Sequence, residues 1–229
     1  MRLNLLFERI KRELTAEGAE NAEGRREEGM NASSFFNVSL DCLLLVLSAS
    51  LCYRRAADNQ FAKEYDRKCD RQTAAVLKIV AKENLVLDTD RIYSEEVMAV
   101  VGAANLLNIK NILITHAMAD VPGLSLENMQ RAAQMGAFLE LAFVNDLMGE
   151  NAADDGHKNW HQVSISKMAA AIKLIGAEHF VLSTDLGRKP DPLPAEGYKL
   201  FVEKLMGEGI SGREIDLMMK ENPARLLGI

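Results

Sequence analysis

The chain is short of the residues that build metal clusters and disulfide frameworks. Its 229 residues hold four histidines and three cysteines. Cys42, Cys52 and Cys69 all fall in the first third, are odd in number and have no zinc-like spacing. That excludes a disulfide scaffold and points to a reducing, cytoplasmic setting. No His-x-His occurs anywhere in the chain. No glycine-rich turn follows an early strand, and Gly102, Gly123 and Gly136 stand alone. A dinucleotide-binding fingerprint is thereby excluded. Positive charge is also scarce, with 27 Lys and Arg against 33 Asp and Glu and a net charge of −6. Nucleic acid is therefore not the expected partner.

The conspicuous apolar run, Leu43-Leu-Leu-Val-Leu-Ser-Ala-Ser-Leu-Cys52, precedes Arg54-Arg55. It is shorter than the ~20 residues a membrane helix needs. Asn37 and Asp41 interrupt its N-terminal side, and charges of both signs precede it. Neither a membrane span nor a secretory signal fits that pattern.

What is present is a sizeable apolar fraction, 48%, enough for a large α/β core. The eleven methionines fall mostly at helical core spacing and read as core filler. The chain changes character near residue 60. Residues 13–28, Glu-Leu-Thr-Ala-Glu-Gly-Ala-Glu-Asn-Ala-Glu-Gly-Arg-Arg-Glu-Glu, carry no apolar stripe. They suit a frayed helix or a disordered run, and they resemble a translated bacterial intergenic repeat. Residues 1–59 are thus expected to be an atypical, disordered or spurious segment, and 60–229 the folded unit.

From residue 60 the pattern is regular. Phe61, Tyr65, Cys69, Val76, Leu77 and Val80 share a helical face that ends near Asn84. Leu85-Val-Leu predicts a short strand. Ser94 opens a helix with Val97, Val100, Val101, Ala104 and Leu107 inward. Asn111-Ile-Leu-Ile-Thr-His116 is a strand ending on histidine. Ser125 caps a helix that closes at Gly136, and Ala137–Phe143 is the next strand. A polar loop spans 144–160. Ile165, Met168, Ile172 and Ile175 mark a helix ending at Gly176. His179-Phe-Val-Leu-Ser-Thr-Asp185 is the fourth strand. Two helices follow, from about 195 to 207 and from Ser211, where Ser211-Gly-Arg-Glu214 is a capping box. Strict alternation predicts an α/β fold with parallel strands and right-handed crossovers. Four units make about half of a (βα)₈ barrel, so the expected fold is a partial TIM-type barrel.

Phe180-Val-Leu-Ser-Thr-Asp-Leu-Gly187 and the ending Glu221-Asn-Pro-Ala-Arg-Leu-Leu-Gly-Ile229 resemble the end of an amidohydrolase-superfamily barrel. Ile112-Leu-Ile-Thr-His116, Leu124-Ser-Leu-Glu127 and Gly136-Ala-Phe-Leu-Glu140 are similar to a bacterial branch of amidohydrolase-like proteins. The resemblance covers roughly residues 70–229. It implies that the strands ending near 87, 116, 143 and 185 are the fifth to eighth of such a barrel. It further implies a metal-dependent hydrolase acting on an amide, ester or related bond of a small molecule. His116 and Asp185 match the family's sixth-strand and eighth-strand positions. Asp185 would bind zinc or manganese, or take a proton from the attacking water.

The departures are as informative. The fifth strand carries Asp90 and Arg91 where the family has histidine, and the first-strand His-x-His is missing. Asp90 is a candidate replacement oxygen ligand, with Arg91 as its salt-bridge partner. Strand alternation puts Glu140 on one face with Phe138 and Ala142, so Glu140 is a further candidate ligand in a barrel interior. Without these, ligands are too few for a tight catalytic site. An impaired hydrolase is expected, or a non-catalytic barrel fragment. His157 and His161 stand four apart, a ligand spacing on a helix, but in a polar loop; His179 reads as structural. Half a barrel leaves two open sheet edges and an uncovered inner face, which predicts a homo-oligomer.

Overall fold

The computed structural model describes residues 71–229. The expectations for residues 1–59, the Leu43–Cys52 run included, and for Phe61, Tyr65 and Cys69 lie outside the described residues. The described part begins with helix α1 (Arg71–Glu83), then strand β1 (Leu87–Asp88) and helix α2 (Ser94–Leu106). Strand β2 (Ile112–Ile114), helix α3 (Leu126–Gln134) and strand β3 (Phe138–Ala142) follow. Helix α4 (Ile165–Ile175) and strand β4 (Phe180–Ser183) lead to helix α5 (Pro194–Gly207). The last helix runs as α6 (Gly212–Asp216), a π-helical stretch (Leu217–Glu221) and α7 (Asn222–Leu227).

The four strands form one sheet in the order β1-β2-β3-β4, and every neighbouring pair is parallel. Sequential order with no reversal is the topology of consecutive barrel units; a doubly wound sheet would switch direction. The fold is that of a partial (βα)₈-type barrel.

Side-chain alternation gives the sheet two unlike faces. Leu87, Ile112, Ile114, Leu139, Leu141, Phe180 and Leu182 are buried and belong to one hydrophobic core. The helices pack on this face and supply Val97, Val101, Met129, Met168, Ile172 and Phe201. The alternate positions Asp88, Leu113, Glu140, Val181 and Ser183 are only half-buried. Phe138 shares their face and lies beneath the guanidinium of Arg225, 5.4 Å from its ring centre.

Helix ends follow local chemistry. Ser125 and Ser164 cap α3 and α4 by accepting the N–H of Asn128 and Lys167. Ser211 and Glu214 form the expected capping box. The strands are shorter than expected, at Ile112–Ile114, Phe138–Ala142 and Phe180–Ser183, and two further details differ. The first strand is displaced to Leu87–Asp88, because Leu85 N–H is taken by Val80 O of the preceding helix. Leu107 lies partly in solvent as the residue that closes α2.

Asn222 fastens the C-terminal helix to the sheet. It is fully buried, and its Nδ2 donates to Ala177 O at 2.8 Å and Phe180 O at 2.7 Å. Both carbonyls lie at the entry to β4, so the last helix fixes the strand that carries Asp185.

Candidate functional site

Three strands end in the same way. Two residues beyond β1, β2 and β4 stand Asp90, His116 and Asp185, with φ of 48°, 52° and 48°. Each follows a threonine: Thr89, Thr115 and Thr184. The left-handed region is costly for most side chains and best tolerated by Asn, Asp and His. Such a residue breaks the extended alternation and turns the chain off the sheet. His116 would otherwise continue the helix-covered face of Ile112 and Ile114.

Backbone bonds carry the ladder up to these turns. Thr89 N–H donates to Leu113 O, Ala117 N–H to Glu140 O and Val144 N–H to Thr184 O. Asp88 ties the first two ends together. Its Oδ1 accepts from Thr115 Oγ1 at 2.5 Å and from the Asp90 N–H at 3.0 Å. Glu140 holds the second end by accepting the His116 backbone N–H at 2.9 Å. Beyond the fourth end, Leu186 lies against α5, where Gly197 leaves it room; a methyl at 197 would collide with its side chain.

The imidazole of His116 is 5% exposed and sits among three charged side chains. Its Nε2 is 3.3 Å from Asp185 Oδ2 and 3.1 Å from Arg91 Nη2. Arg91 Nη2 is itself 3.6 Å from Asp185 Oδ2. Glu140 Oε2 lies 4.0 Å from Nδ1, beyond hydrogen-bond reach, and Nδ1 has no hydrogen-bond partner. Nε2 can accept from Arg91 or donate to Asp185, but not both at once. Burial alone would lower the His116 pKa. The hydrogen bond to Asp185 and the charge of Glu140 outweigh it, against an opposing push from Arg91, and raise the imidazole above its ordinary value. The His116 hydrogen bond holds Asp185 below the usual carboxylate value, against partial burial, which acts the other way.

His116 and Asp185 thus meet across the intervening strand β3, with Glu140 behind them. Arg91 reaches His116 and Asp185, not the Asp90 contact expected from the sequence. Sequence alone assigns no role to Asp88 or Thr115. A signal was available: Thr followed by Asp or His closes a short apolar run three times, directly after Ile114 and with Asp88 or Ser183 between in the other two. His157 and His161 do not share a helix. His157 is buried in a 3-10 turn, while His161 is 91% exposed and paired with Asp120.

The donor set answers whether a divalent ion fits. A catalytic zinc takes three protein ligands. Among the described residues, no three His, Cys, Asp or Glu groups converge to hold a metal. His116 and Asp185 offer two donors, and the group beside both is a guanidinium. These residues do not fit a metal ion.

The fold and this cluster define a parallel α/β protein of barrel type with a polar site at the carboxyl ends of its strands. The chain belongs to the family described as "Family of unknown function (DUF6282)", whose model matches residues 20–140. Solved structures resemble it at low identity. One, from the molecular engineering of organophosphate hydrolysis activity from a weak promiscuous lactonase template, matches at 15% identity and TM-score 0.49. It covers 68% of this chain and 51% of its own. The organophosphorus hydrolase of Deinococcus radiodurans matches at 16% identity and TM-score 0.46, over 68% of this chain and 49% of its own. A triple mutant of that hydrolase matches at 17% identity and TM-score 0.49, over 68% and 50%. The chain spans about half the length of these structures. No curated protein matches it. Among the described residues, no helix is long and apolar enough to cross a membrane.

Proposed function

We propose that the site belongs to a hydrolase of the amidohydrolase type, acting on an amide, ester or related bond of a small molecule, with reduced chemical power. The observation that carries this reading is the 3.3 Å approach of His116 Nε2 to Asp185 Oδ2 at the carboxyl ends of two strands of a parallel sheet. That end of an α/β barrel is where catalytic side chains gather.

The division of labour follows from exposure. Asp185 is about half exposed, so its carboxylate is the group that can meet water and substrate. His116 is buried and acts through Asp185, holding it ionised and oriented. Glu140 positions His116 through the backbone N–H. A general base works best with a pKa near the operating pH. Asp185 is held low and is therefore a weak base, which is why reduced power is part of the reading. Arg91 is placed to hold an oxygen of the scissile group. Proton transfer is assigned to these side chains alone, because the described donors fall short of a zinc or manganese site.

The test is hydrolysis of a panel of activated esters, lactones and amides by the full chain. Slow turnover is expected to fall at least about tenfold in Asp185→Asn, the scale of losing a positioned base. Turnover equal in wild type, Asp185→Asn and His116→Ala would sink the reading.

A second reading, a non-catalytic barrel fragment that self-associates, is favoured by the half-buried sheet face with Leu113 and Val181. Its expected sign is a dimer or larger species in sedimentation at high concentration. A clean monomer there would count against it.

A further inference from the structure

We infer that the guanidinium of Arg91 occupies the cation position between His116 and Asp185, so that the protein supplies internally the charge a metal ion would bring. The two donor atoms, His116 Nε2 and Asp185 Oδ2, stand 3.3 Å apart. Arg91 Nη2 lies 3.1 Å from the first and 3.6 Å from the second, closing a triangle with them. A zinc ion bound to both would sit about 2.0 to 2.2 Å from each, and so within a few ångströms of the guanidinium. Arginine does not lose its proton in proteins, so the repulsion cannot be relieved by titration. The ion could enter only by displacing Arg91.

Placement by the fold supports the assignment. Arg91 directly follows Asp90, whose left-handed turn takes the chain off β1 and across the sheet end. Asp88 fixes that turn by accepting the Asp90 N–H. When His116 is neutral with its Nε2 unprotonated, that lone pair accepts an Arg91 N–H, as it would a metal, and Nε2 does not then donate to Asp185. Asp185 supplies the counter-charge on the same side. The arrangement sets the Arg91 guanidinium and the Asp185 carboxylate beside the imidazole at the strand ends, and both charges belong to the chain.

This inference is independent of whether the site turns over a substrate, because its test reads metal affinity. Zinc binding to the full chain would be measured by competition with a chromophoric chelator. The wild type, Arg91→Ala, Arg91→Lys and Arg91→Ala with His116→Ala would be compared, and far-UV circular dichroism would confirm that each is folded. Removing a fixed positive charge within contact distance is expected to tighten zinc binding at least about tenfold in Arg91→Ala. Arg91→Lys keeps the charge and is expected to stay close to wild type. The gain is expected to vanish in the double variant. Zinc bound as tightly by wild type as by Arg91→Ala would overturn the inference, as would a gain that survives loss of His116.

Discussion

Asp120 holds His161 with both carboxylate oxygens. Oδ2 accepts the His161 backbone N–H at 2.8 Å, and Oδ1 faces the ring Nδ1 at 2.9 Å. This joins the turn that follows His116 to the long loop that follows β3. Asp120 is four residues from His116, no more than about 14 Å of chain. Carboxylate contact at Nδ1 selects the Nδ1–H form of the neutral ring and leaves Nε2 free in solvent. Nitrogen-15 NMR of His161 is expected to show that tautomer in wild type, and a shift toward the Nε2–H form in Asp120→Ala. The same tautomer in both proteins would show that the carboxylate does not set it.

The His116–Asp185 pair makes stability depend on pH. The His116 pKa is raised above 6.5, so its contribution is complete below pH 6.5 and is lost as pH climbs through the raised value. Asp185 is lowered below 3.8, so its contribution is complete above pH 3.8 and is lost as pH falls through the lowered value. The two overlap between about pH 4 and 6.5. The difference in urea midpoint between wild type and Asp185→Asn is expected to be largest in that window and to shrink toward about pH 9. A difference that grows with pH would contradict the pairing.

Asn222→Ala removes both side-chain donors from the buried entry to β4. Leaving Ala177 O and Phe180 O unsatisfied is expected to cost about 2 to 4 kcal/mol, at one to three for each group less some relaxation. Asn222→Asp should be worse, because a carboxylate would face two carbonyl oxygens. Urea denaturation at neutral pH gives the values. A loss under half a kilocalorie for Asn222→Ala would mean that the carbonyls find other donors.

Glu140 is a positioning residue, and its variants separate position from charge. Glu140→Gln keeps an acceptor for the His116 N–H, whereas Glu140→Ala abolishes it. The alanine variant is expected to lose about 1 to 3 kcal/mol, the cost of an unmade bond at a buried donor. The glutamine variant should lose less. Equal losses would assign the effect to charge and not to the backbone bond.

Lys204 reaches across from α5 to the nearly buried carboxylate of Asp146 at 2.7 Å and lies over the ring of Phe143. Lys204→Met leaves that carboxylate with Ile165 N–H and Gln162 as donors. A loss of about 1 to 3 kcal/mol is expected, and adding Asp146→Asn should restore part of it. Simple additivity of the two losses would show that the pair is not coupled.

Periodicity reveals elements that bury a repeating face, which explains what could be read before the structure. The helices with Val97, Val100 and Val101 or Met168 and Ile172, and the strands ending near His116 and Asp185, announce themselves because their apolar residues recur at fixed spacing. Their order then implies the parallel sheet. Alternation alone puts Glu140 on the face opposite Leu139 and Leu141, and it is half-buried where both leucines are buried. Adjacency in sequence points Arg91 to Asp90, whereas the side chain lies against His116 and Asp185. The left-handed turn at Asp90 sends the arginine toward another strand end, and no local pattern encodes that direction. The Asp88–Thr115 contact was hidden for the same reason, since it joins residues 27 apart in sequence.

The three left-handed residues at the strand ends set a limit on how this protein can be engineered. Each non-glycine residue in that conformation costs about 1 to 2 kcal/mol in general, less for Asp and His. A directed evolution campaign that rewards thermostability alone would be drawn to glycine or asparagine at 90, 116 and 185. Such a winner would fold better and would have discarded His116 and Asp185, the two of these side chains that meet at the sheet's mouth. Selections on this scaffold therefore need a second screen that keeps positions 116 and 185 under functional pressure.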